Sequence, residues 1–254
     1  ASNTGAGVRI TGTAGKNLLR DCVISGNLGA GVLIDSGAED NTIERCHIGV
    51  DITGVGALGN AYGVHIEAGV GNHIGPGNVI SGNPGHGVIF ESNATHSNEV
   101  FDSTIGPNAA GGFLGNGESG VQFLGGAFGN SVKKSHISCN RWGVLMEGVA
   151  PRDNRVLQNL IGTDASGTAA LPNLFDGVLL RSGAYHNEIR ENVVSGNGEC
   201  GIKLEGSSEN LIAGNAIGVD RTVTNAIPNA LGGLLAQGSR NQIGGLTPNE
   251  GNAI

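Results

Sequence analysis

The sequence predicts an all-β solenoid in which about nine coils, each with three short strands, stack along one axis. Two observations predict this fold class: a segment of the form GVxI recurs along the whole chain, and an Asn opens a second segment in every repeat. Composition agrees, because Gly occurs 47 times in 254 residues and Pro only 7 times. That balance fits many tight turns and no collagen-like or proline-rich region.

The expected first strands alternate apolar and polar residues, as half-buried strands do. Their spacing alternates between 23–24 and 32–34 residues, so the full period is a pair of 56 to 58 residues, which marks a repeat architecture. The segments begin at Gly7, Gly31, Gly63, Gly87, Gly120, Gly143, Gly177, Gly201 and Gly233.

Two further segments follow in each repeat. The second begins at Asn17, Asn41, Asn72, Asn98, Asn130, Asn154, Asn187, Asn210 and Asn241. The third carries Ile24, Ile48, Ile80, Ile105, Ile137, Ile161, Val194, Ile217 and Ile254. No helical pattern separates the segments, so each repeat is expected to form one coil whose strands pair in parallel with those of its neighbours.

The Asn that recurs at one turn predicts an internal ladder. Each side-chain amide is expected to bond to turn backbone and to the Asn of the next coil, since an amide carries both donors and an acceptor. With coils about 4.8 Å apart, nine of them make a rod roughly 43 Å long.

The long repeats carry their extra residues directly after the third segment. These inserts begin at Ile48, Ile105, Ile161 and Ile217 and are expected to protrude on one side of the rod, two coils apart. The short repeats instead close with SGN, or with Cys139 in place of the Gly.

Charge and hydropathy disfavour two classes of partner. The formal net charge is −8 with a pI near 5.3 and only 14 Lys and Arg, whereas a nucleic-acid partner requires clustered cations. No run of about 18 apolar residues is present, so no membrane insertion is expected. The first residues lack a signal-peptide pattern, which neither shows nor excludes export.

The phrases NxI, GNxISGN, IGTDxxG and GVxI resemble the right-handed parallel β-helix repeats of large secreted or surface bacterial proteins, within the pectin-lyase-like superfamily. The resemblance covers essentially all 254 residues. It implies one right-handed β-helix domain over residues 1–254 and an extracellular or cell-surface location. It does not select a function, because the superfamily includes polysaccharide lyases, glycoside hydrolases, epimerases, phage tailspikes and adhesins.

Both ends of the repeat array are expected to be open. The chain starts close to a first strand, and Ile254 occupies a third-strand position after which SGN would follow. Solenoid ends expose unpaired backbone and apolar faces. The chain is therefore interpreted as a segment of a longer rod, or as a rod that associates with other copies of itself through its ends.

Side chains alternate across a strand, so two columns of the first strands face outward. One column contains Arg9, Leu33, His65, Ile89, Gln122, Leu145, Leu179, Lys203 and Leu235. The other contains Thr11, Asp35, Glu67, Glu91, Leu124, Glu147, Arg181, Glu205 and Gln237.

Three carboxylates of these columns, Asp35, Glu67 and Glu91, fall on successive coils with His65 beside them. Carboxylates about 5 Å apart repel, which raises their pKa values or recruits a cation. Such a cluster suits acid–base catalysis on a sugar, and these four residues are the candidate catalytic site. The alternative interpretation is a set of solvated surface charges.

Motifs of polysaccharide-active families are otherwise missing. His86, between two glycines, resembles a polygalacturonase motif, but its companion motifs have no match, so a turn residue is favoured. The Arg/Asp constellation of calcium-assisted pectate lyases and the Tyr-Gly/Asp-Pro-His pattern of mannuronan epimerases are absent as well. Two Tyr and the single Trp142 offer few stacking platforms, which counts against a carbohydrate groove.

One position of the inserts carries an oxygen-bearing side chain: Asp51, Asn108, Asp164 and Asp220. Ca²⁺ is one interpretation, but six or more oxygens must converge while these residues recur about 10 Å apart, so a site would lie within one loop. An Asx-turn that shapes the loop is favoured. No other cofactor or metal is expected.

The four cysteines form no metal-binding pattern. Cys22 and Cys46 occupy equivalent positions on adjacent coils, where the spacing permits a disulfide without requiring it. A buried thiol ladder is the favoured interpretation. Cys139 and Cys200 have no evident partner.

The outward residues of the third strands form an apolar stripe interrupted by histidines. It is expected to pack under the inserts rather than to bind a partner. Its members are Val23, His47, Val79, His136, Leu160 and Val193.

These observations favour a non-catalytic structural or adhesive rod that spaces, assembles or binds at a cell surface, with polysaccharide or other copies of itself as the alternative partners. The alternative is a polysaccharide lyase, hydrolase or epimerase that uses Asp35, His65, Glu67 and Glu91, and a deep groove over these residues would favour it. Ice binding, a third function, lacks the regular outward Thr rows that it requires.

Overall fold

The computed structural model describes residues 2–245, Thr247 and residues 250–254. They form the right-handed parallel β-helix that the sequence predicts, with one strand per coil in each of three parallel sheets. The described residues contain no helix with the length and hydropathy that a membrane crossing requires.

The three sheets are named A, B and C; sheets A and B have a strand in all nine coils, and sheet C has one in the first eight. Sheet A contains β1 (Val8–Thr11), β4 (Ala30–Asp35), β7 (Tyr62–Glu67), β10 (Val88–Glu91), β13 (Ser119–Leu124), β16 (Trp142–Met146), β19 (Val178–Arg181), β22 (Cys200–Ser208) and β25 (Gly232–Ser239). Sheet B contains β2 (Leu18–Arg20), β5 (Thr42–Glu44), β8 (His73–Ile74), β11 (Glu99–Phe101), β14 (Ser131–Lys133), β17 (Arg155–Leu157), β20 (Glu188–Arg190), β23 (Leu211–Ala213) and β26 (Gln242–Ile243). Sheet C contains β3 (Val23–Ile24), β6 (His47–Ile48), β9 (Val79–Ile80), β12 (Thr104–Ile105), β15 (His136–Ile137), β18 (Leu160–Ile161), β21 (Val193–Val194) and β24 (Ala216–Ile217).

Three consecutive strands make one coil, so β1–β3 form coil 1 and β22–β24 form coil 8. Coil 9 consists of β25 and β26, and its third position is reached where Ala253 bridges Ala216. The strands pair in the register that the repeat predicts, because inward side chains stack on like side chains along the axis. Phe90 and Phe123 are fully buried in this column, with ring centroids 5.0 Å apart.

The predicted Asn ladder is present just before sheet B. The backbone N–H and the side-chain amide of Asn41 both donate to Oδ1 of Asn72, at 3.0 and 2.9 Å, and the amide also donates to the carbonyl of Ala14 at 3.2 Å. Each rung is thus both donor and acceptor, and the buried turn leaves no polar group of the Asn unpaired.

A second Asn ladder, not recognised in the sequence, lies before sheet A. It joins the Asn of each SGN turn to the Asn that ends each insert, so that Asn27 donates to Asn60 at 2.7 Å and Asn60 to Asn83 at 3.2 Å. Its rungs are Asn27, Asn60, Asn83, Asn116, Asn140, Asn173, Asn197 and Asn229.

The four inserts leave the coil at a glycine and form short loops. Gly106 has a φ of +106°, and a Cβ there would overlap the carbonyl oxygen of Ser138, so only Gly fits. The predicted Asx-turn is present at Asp51, Asn108 and Asp220, where Oδ1 accepts from the backbone N–H two residues further on. Asp164 instead accepts from the backbone N–H of Thr168 and Ala169. Calcium binding in these loops stays a prediction.

The inserts touch one another in pairs, which the predicted two-coil spacing did not anticipate. Ala109 donates to the carbonyl of Gly54 at 2.9 Å, joining the inserts of coils 2 and 4, and Arg221 donates to the carbonyl of Gly167 at 3.0 Å, joining those of coils 6 and 8. In the described part of the chain, no backbone hydrogen bond joins the insert of coil 4 to that of coil 6.

Part of the outward stripe of sheet C packs under the inserts, as predicted, whereas Val23 at its first position is 42% exposed. The Nε2–H of His136 donates to the carbonyl of Thr163 at 2.6 Å, and burial lowers the pKa of this imidazole. Leu160 lies against Gly167 of the insert that follows it.

Cys22 and Cys46 are not bonded to each other in this structure. Each thiol donates to the carbonyl two residues before it, at 3.2 Å in both cases. Burial raises the pKa of Cys46 to about 11, so this thiol is a protonated core group.

Candidate functional site

The four predicted site residues lie on coils 2 to 4, but they do not form one cluster. Asp35 accepts from Nε of Arg9 at 2.8 Å, and Glu91 lies 2.8 Å from Nε2 of His65. The exposed Glu67 lies in register with Asp35 and Glu91 and has no hydrogen-bond or ion-pair partner in the described part of the chain.

The expected rise in pKa from carboxylate repulsion is wrong for Asp35. Burial would raise the pKa of this carboxyl, but hydrogen bonds from Thr11, Arg9 and Ser36 outweigh it and hold the pKa below its usual value. Asp35 is 6% exposed, so it is not a solvated surface charge either. It is the buried half of an ion pair with Arg9.

The middle of the first outward column is also covered, although alternation predicts that it faces outward. Ile89, Gln122, Leu145 and Leu179 are each at most 4% exposed. Glu147 of the second column shows how the cover forms, because it accepts from Nε2 of Gln122 at 2.8 Å and from Nε of Arg181 at 2.7 Å. Glu147 is thus hydrogen-bonded to the coils on either side of it and contacts Gln122 of the covered column.

A third column flanks this face, formed by the residue immediately before each repeat glycine. It contains Tyr62, His86, Ser119, Trp142, Asp176 and Cys200 on six successive coils. Of these residues, only His86, Trp142 and Cys200 were named from the sequence, each for a different reason. Periodicity does not reveal the other members, because the residue type at this position differs on each of these six coils.

His86 is a turn residue, as predicted. Its ring stacks on Tyr62 with centroids 6.1 Å apart, and its Nδ1 accepts from the backbone N–H of Ser119 at 3.1 Å. Burial lowers the pKa of His86, so the imidazole is neutral at pH 7 and serves as an acceptor.

The concave part of this face lies over coils 6 to 8, away from the predicted cluster. There a cavity of about 250 Å³ opens between the third column and the outward side chains of sheet A. Its lining residues are Arg141, Trp142, Phe175, Asp176, Leu179, Arg181, Glu199, Lys203 and Glu205.

One wall of the cavity is aromatic. The rings of Trp142 and Phe175 lie 5.1 Å apart at 44°, and the guanidinium of Arg141 lies 4.8 Å from the first ring and 5.3 Å from the second. Glu118 holds Arg141 in place at 3.0 Å. This packing fixes two large ring surfaces beside the charged wall.

The other wall carries a buried carboxyl. Asp176 is 1% exposed, and its Oδ1 accepts from the backbone N–H of Cys200 at 3.1 Å. Burial raises the pKa of Asp176, while Lys203 and Glu205 of the next coil form an ion pair with each other at 3.6 Å. The cavity therefore offers donors, acceptors and one carboxyl whose pKa burial raises.

Two family models match the chain. The model described as periplasmic copper-binding protein (NosD) matches residues 93–244, more than half of the chain. The model described as right handed beta helix region matches residues 1–105. No curated protein matches the chain in sequence.

Solved structures with a similar fold include two mutants of the periplasmic alginate epimerase AlgG and the A-module of the mannuronan C-5 epimerase AlgE6 of Azotobacter vinelandii. The first AlgG structure has 16% identity and a TM-score of 0.55 over 87% of this chain, and this chain covers 50% of its length. The second has 12% identity and a TM-score of 0.59 over 94% of this chain, and this chain covers 68% of its length. The AlgE6 module has 16% identity and a TM-score of 0.51 over 100% of this chain, and this chain covers 80% of its length. At these identities the likeness shows the fold alone.

The described residues do not fit the copper centre that the first family description names. Copper sites gather His, Cys and Met ligands around one point. Among the described residues, no three His, Cys, Asp or Glu side chains are placed to hold a metal ion together. Met146 and Cys139 are buried, and burial raises the pKa of Cys139 to about 11, which disfavours the thiolate that a metal requires.

Proposed function

The chain belongs to the family of periplasmic copper-binding proteins described as NosD, and on that premise we propose that it is an extracytoplasmic β-helix that binds polysaccharide without cleaving it. The binding site is the cavity over coils 6 to 8 on the outer face of sheet A. The observation that carries the proposal is the Trp142–Phe175 pair at its wall.

A sugar ring has apolar C–H faces and a polar rim, and this cavity offers a surface for each. The rings of Trp142 and Phe175 provide the apolar surface. Arg181, Lys203 and Glu199 line the same cavity and provide donors and acceptors for hydroxyl groups. Leu179 is an apolar side chain of the lining and is only 2% exposed.

Three descriptions support the location and the ligand class. The matching family and the AlgG structures are described as periplasmic, which supports an extracytoplasmic location for this chain. AlgG and AlgE6 are described as epimerases of alginate and mannuronan, both polysaccharides. A polymer is a suitable ligand for a rod, because it can run along several coils of one face.

A polysaccharide-active enzyme is the second candidate, and Asp176 favours it. A buried carboxyl whose pKa is raised and that lines a cavity is a candidate general acid. The predicted cluster favours it less, because Asp35 and Glu91 are each engaged in an ion pair.

Affinity electrophoresis through gels that contain neutral or acidic polysaccharides tests the proposal. Wild type is expected to be retarded by at least one polymer, Phe175→Ala is expected to lose the retardation, and Phe101→Ala on the outer face of sheet B is expected to keep it. New reducing ends and unsaturated products are followed in the same samples and are expected to be absent. Retardation that survives Phe175→Ala contradicts the proposal, and cleavage abolished by Asp176→Asn makes the protein an enzyme.

A further inference from the structure

A second cavity lies on a different side of the rod, at the corner between sheets B and C. It has a volume of about 610 Å³ and is lined by coils 4 to 6 and by the inserts of coils 6 and 8. It lies where the insert pair of coils 2 and 4 is followed along the rod by the insert pair of coils 6 and 8. Two cations, Lys134 and Arg221, and one carboxylate, Asp102, line it.

The ion pairs of the chain set these two cations apart. Of the 14 Lys and Arg residues, all but three lie within 4.0 Å of a carboxylate oxygen. In the described part of the chain, the three without an ion pair are Lys16, Lys134 and Arg221. Two of these three line one cavity, on a chain whose net charge is −8. The two cations outnumber the one carboxylate, Asp102, that lines the cavity, so the lining carries a surplus of positive charge.

Arg221 reaches this cavity because the insert of coil 8 lies on the insert of coil 6. Its backbone N–H donates to the carbonyl of Gly167 at 3.0 Å. A Cβ on Gly167 would lie 3.2 Å from Cβ and 3.4 Å from Cδ of Arg221, and Gly167 has a φ of +71°. The glycine therefore lets the Arg221 side chain pass close over the loop, and Ala165 of the same loop also lines the cavity.

Lys134 stands at the corner that follows β14. Its φ is 50°, and its backbone N–H donates to the carbonyl of Leu157 at 3.1 Å, which fixes the corner. Below the two cations, Leu160 and the neutral, buried His136 contribute to the lining. Thr104 adds a hydroxyl at the same edge.

We propose that this cavity binds an oxyanion group, a carboxylate, sulfate or phosphate, between Lys134 and Arg221. A guanidinium presents two parallel donors to such a group, and an ammonium adds a point charge. The group is either free in solution or a substituent of an acidic sugar. The proposal uses none of the residues of the cavity over coils 6 to 8, so it stands independently of the polysaccharide site.

Calorimetric titration at low salt with sodium sulfate, galacturonate and galactose tests this site. Sulfate and galacturonate are expected to bind, and galactose is not. Lys134→Met and Arg221→Met are each expected to weaken binding about fivefold, the size of one exposed charge pair. Lys16→Met is the matched control, because Lys16 is also an exposed lysine with positive φ and no ion pair, and it is expected to change nothing.

The relative affinities identify the source of the group. Tighter binding of galacturonate than of sulfate indicates an acidic sugar, and equal binding indicates a free oxyanion. Raising NaCl to about 0.5 M is expected to weaken both, since salt screens exposed charges. Absence of binding, equal binding of galactose, or affinities unchanged in both variants would overturn the proposal. Phe175→Ala is expected to leave this site intact.

Discussion

On the outer face of sheet A, Nε2 of His65 lies 2.8 Å from Oε2 of Glu91 on the next coil. The pair runs diagonally across the two outward columns, so Glu91 turns away from Glu67, which lies beside it in register. The carboxylates of the predicted cluster therefore differ in role, although they share one column: two are paired and one is not.

The stabilities of two variants distinguish the paired carboxylate Glu91 from the unpaired Glu67. Glu91→Gln is expected to lower the free energy of unfolding by about 0.2–1 kcal/mol, the usual value of a partly exposed pair. Glu67→Gln, one coil away in the same column, is expected to change it less, because no described partner is lost. Urea unfolding measures both variants. An equal loss in both would show that the His65–Glu91 contact contributes nothing.

Asp35→Asn is expected to destabilise the fold at pH 7. The native pKa of Asp35 lies below its ordinary value of 3.8, so the ionised group stabilises the native state above pH 3.8, and that contribution disappears as the pH falls through the native pKa. The difference between wild type and variant is thus expected to be full at pH 7 and to shrink below pH 3.8. Thermal melts at several pH values measure it, with the exposed Asp40→Asn as control. A difference that grows on acidification would refute this role.

Asp176→Asn is expected to stabilise the fold at pH 7, in contrast to Asp35→Asn. Burial raises the pKa of Asp176, so protonation stabilises the native state, and this contribution is lost as the pH rises through the native pKa. The amide oxygen of Asn can still accept from Cys200. The variant is therefore expected to melt above wild type at pH 7, with the gain disappearing below pH 3.8. A variant that melts lower at pH 7 would show that the charge is stabilised in the native cavity.

Asn130→Ala is expected to cost about 3 kcal/mol or more. The Asn130 amide donates to Thr95 and Phe128 carbonyls and to Asn154, and its Oδ1 accepts from the backbone and side chain of Asn98. Truncation leaves several of these buried groups unpaired, at about 1–3 kcal/mol each. Urea unfolding is the measurement, and the exposed Asn93→Ala is the control. A loss below about 1 kcal/mol would mean that water replaces the rung.

The sequence was sufficient for the fold because the coil is encoded nine times. Asn130 occupies the same place as eight other Asn residues, and that repetition identifies the ladder directly. The ladder through Asn27 and Asn60 was missed because short repeats reach it through SGN and long repeats through an insert. Stacked backbones, rather than spacing along the chain, make these two residues equivalent.

The site was less predictable, for a physical reason. Register placed His65, Glu67 and Glu91 on one face, but which partner each side chain chooses depends on rotamers and burial. Alternation showed that Leu145 points outward without showing that neighbouring side chains cover it. Phe175 and Asp176 occur once each at their repeat positions, so periodicity carries no signal for them.

The most direct measurement of the central proposal is the fluorescence of Trp142, because it is the only Trp in the chain and lies in the wall of the cavity over coils 6 to 8. Titration with a polysaccharide that retards the protein in affinity gels is expected to shift its emission in a saturable way. Glu67→Gln is expected to leave that shift unchanged. Retardation by the polymer with no change in Trp142 emission would place the polysaccharide elsewhere on the rod and contradict the proposed site.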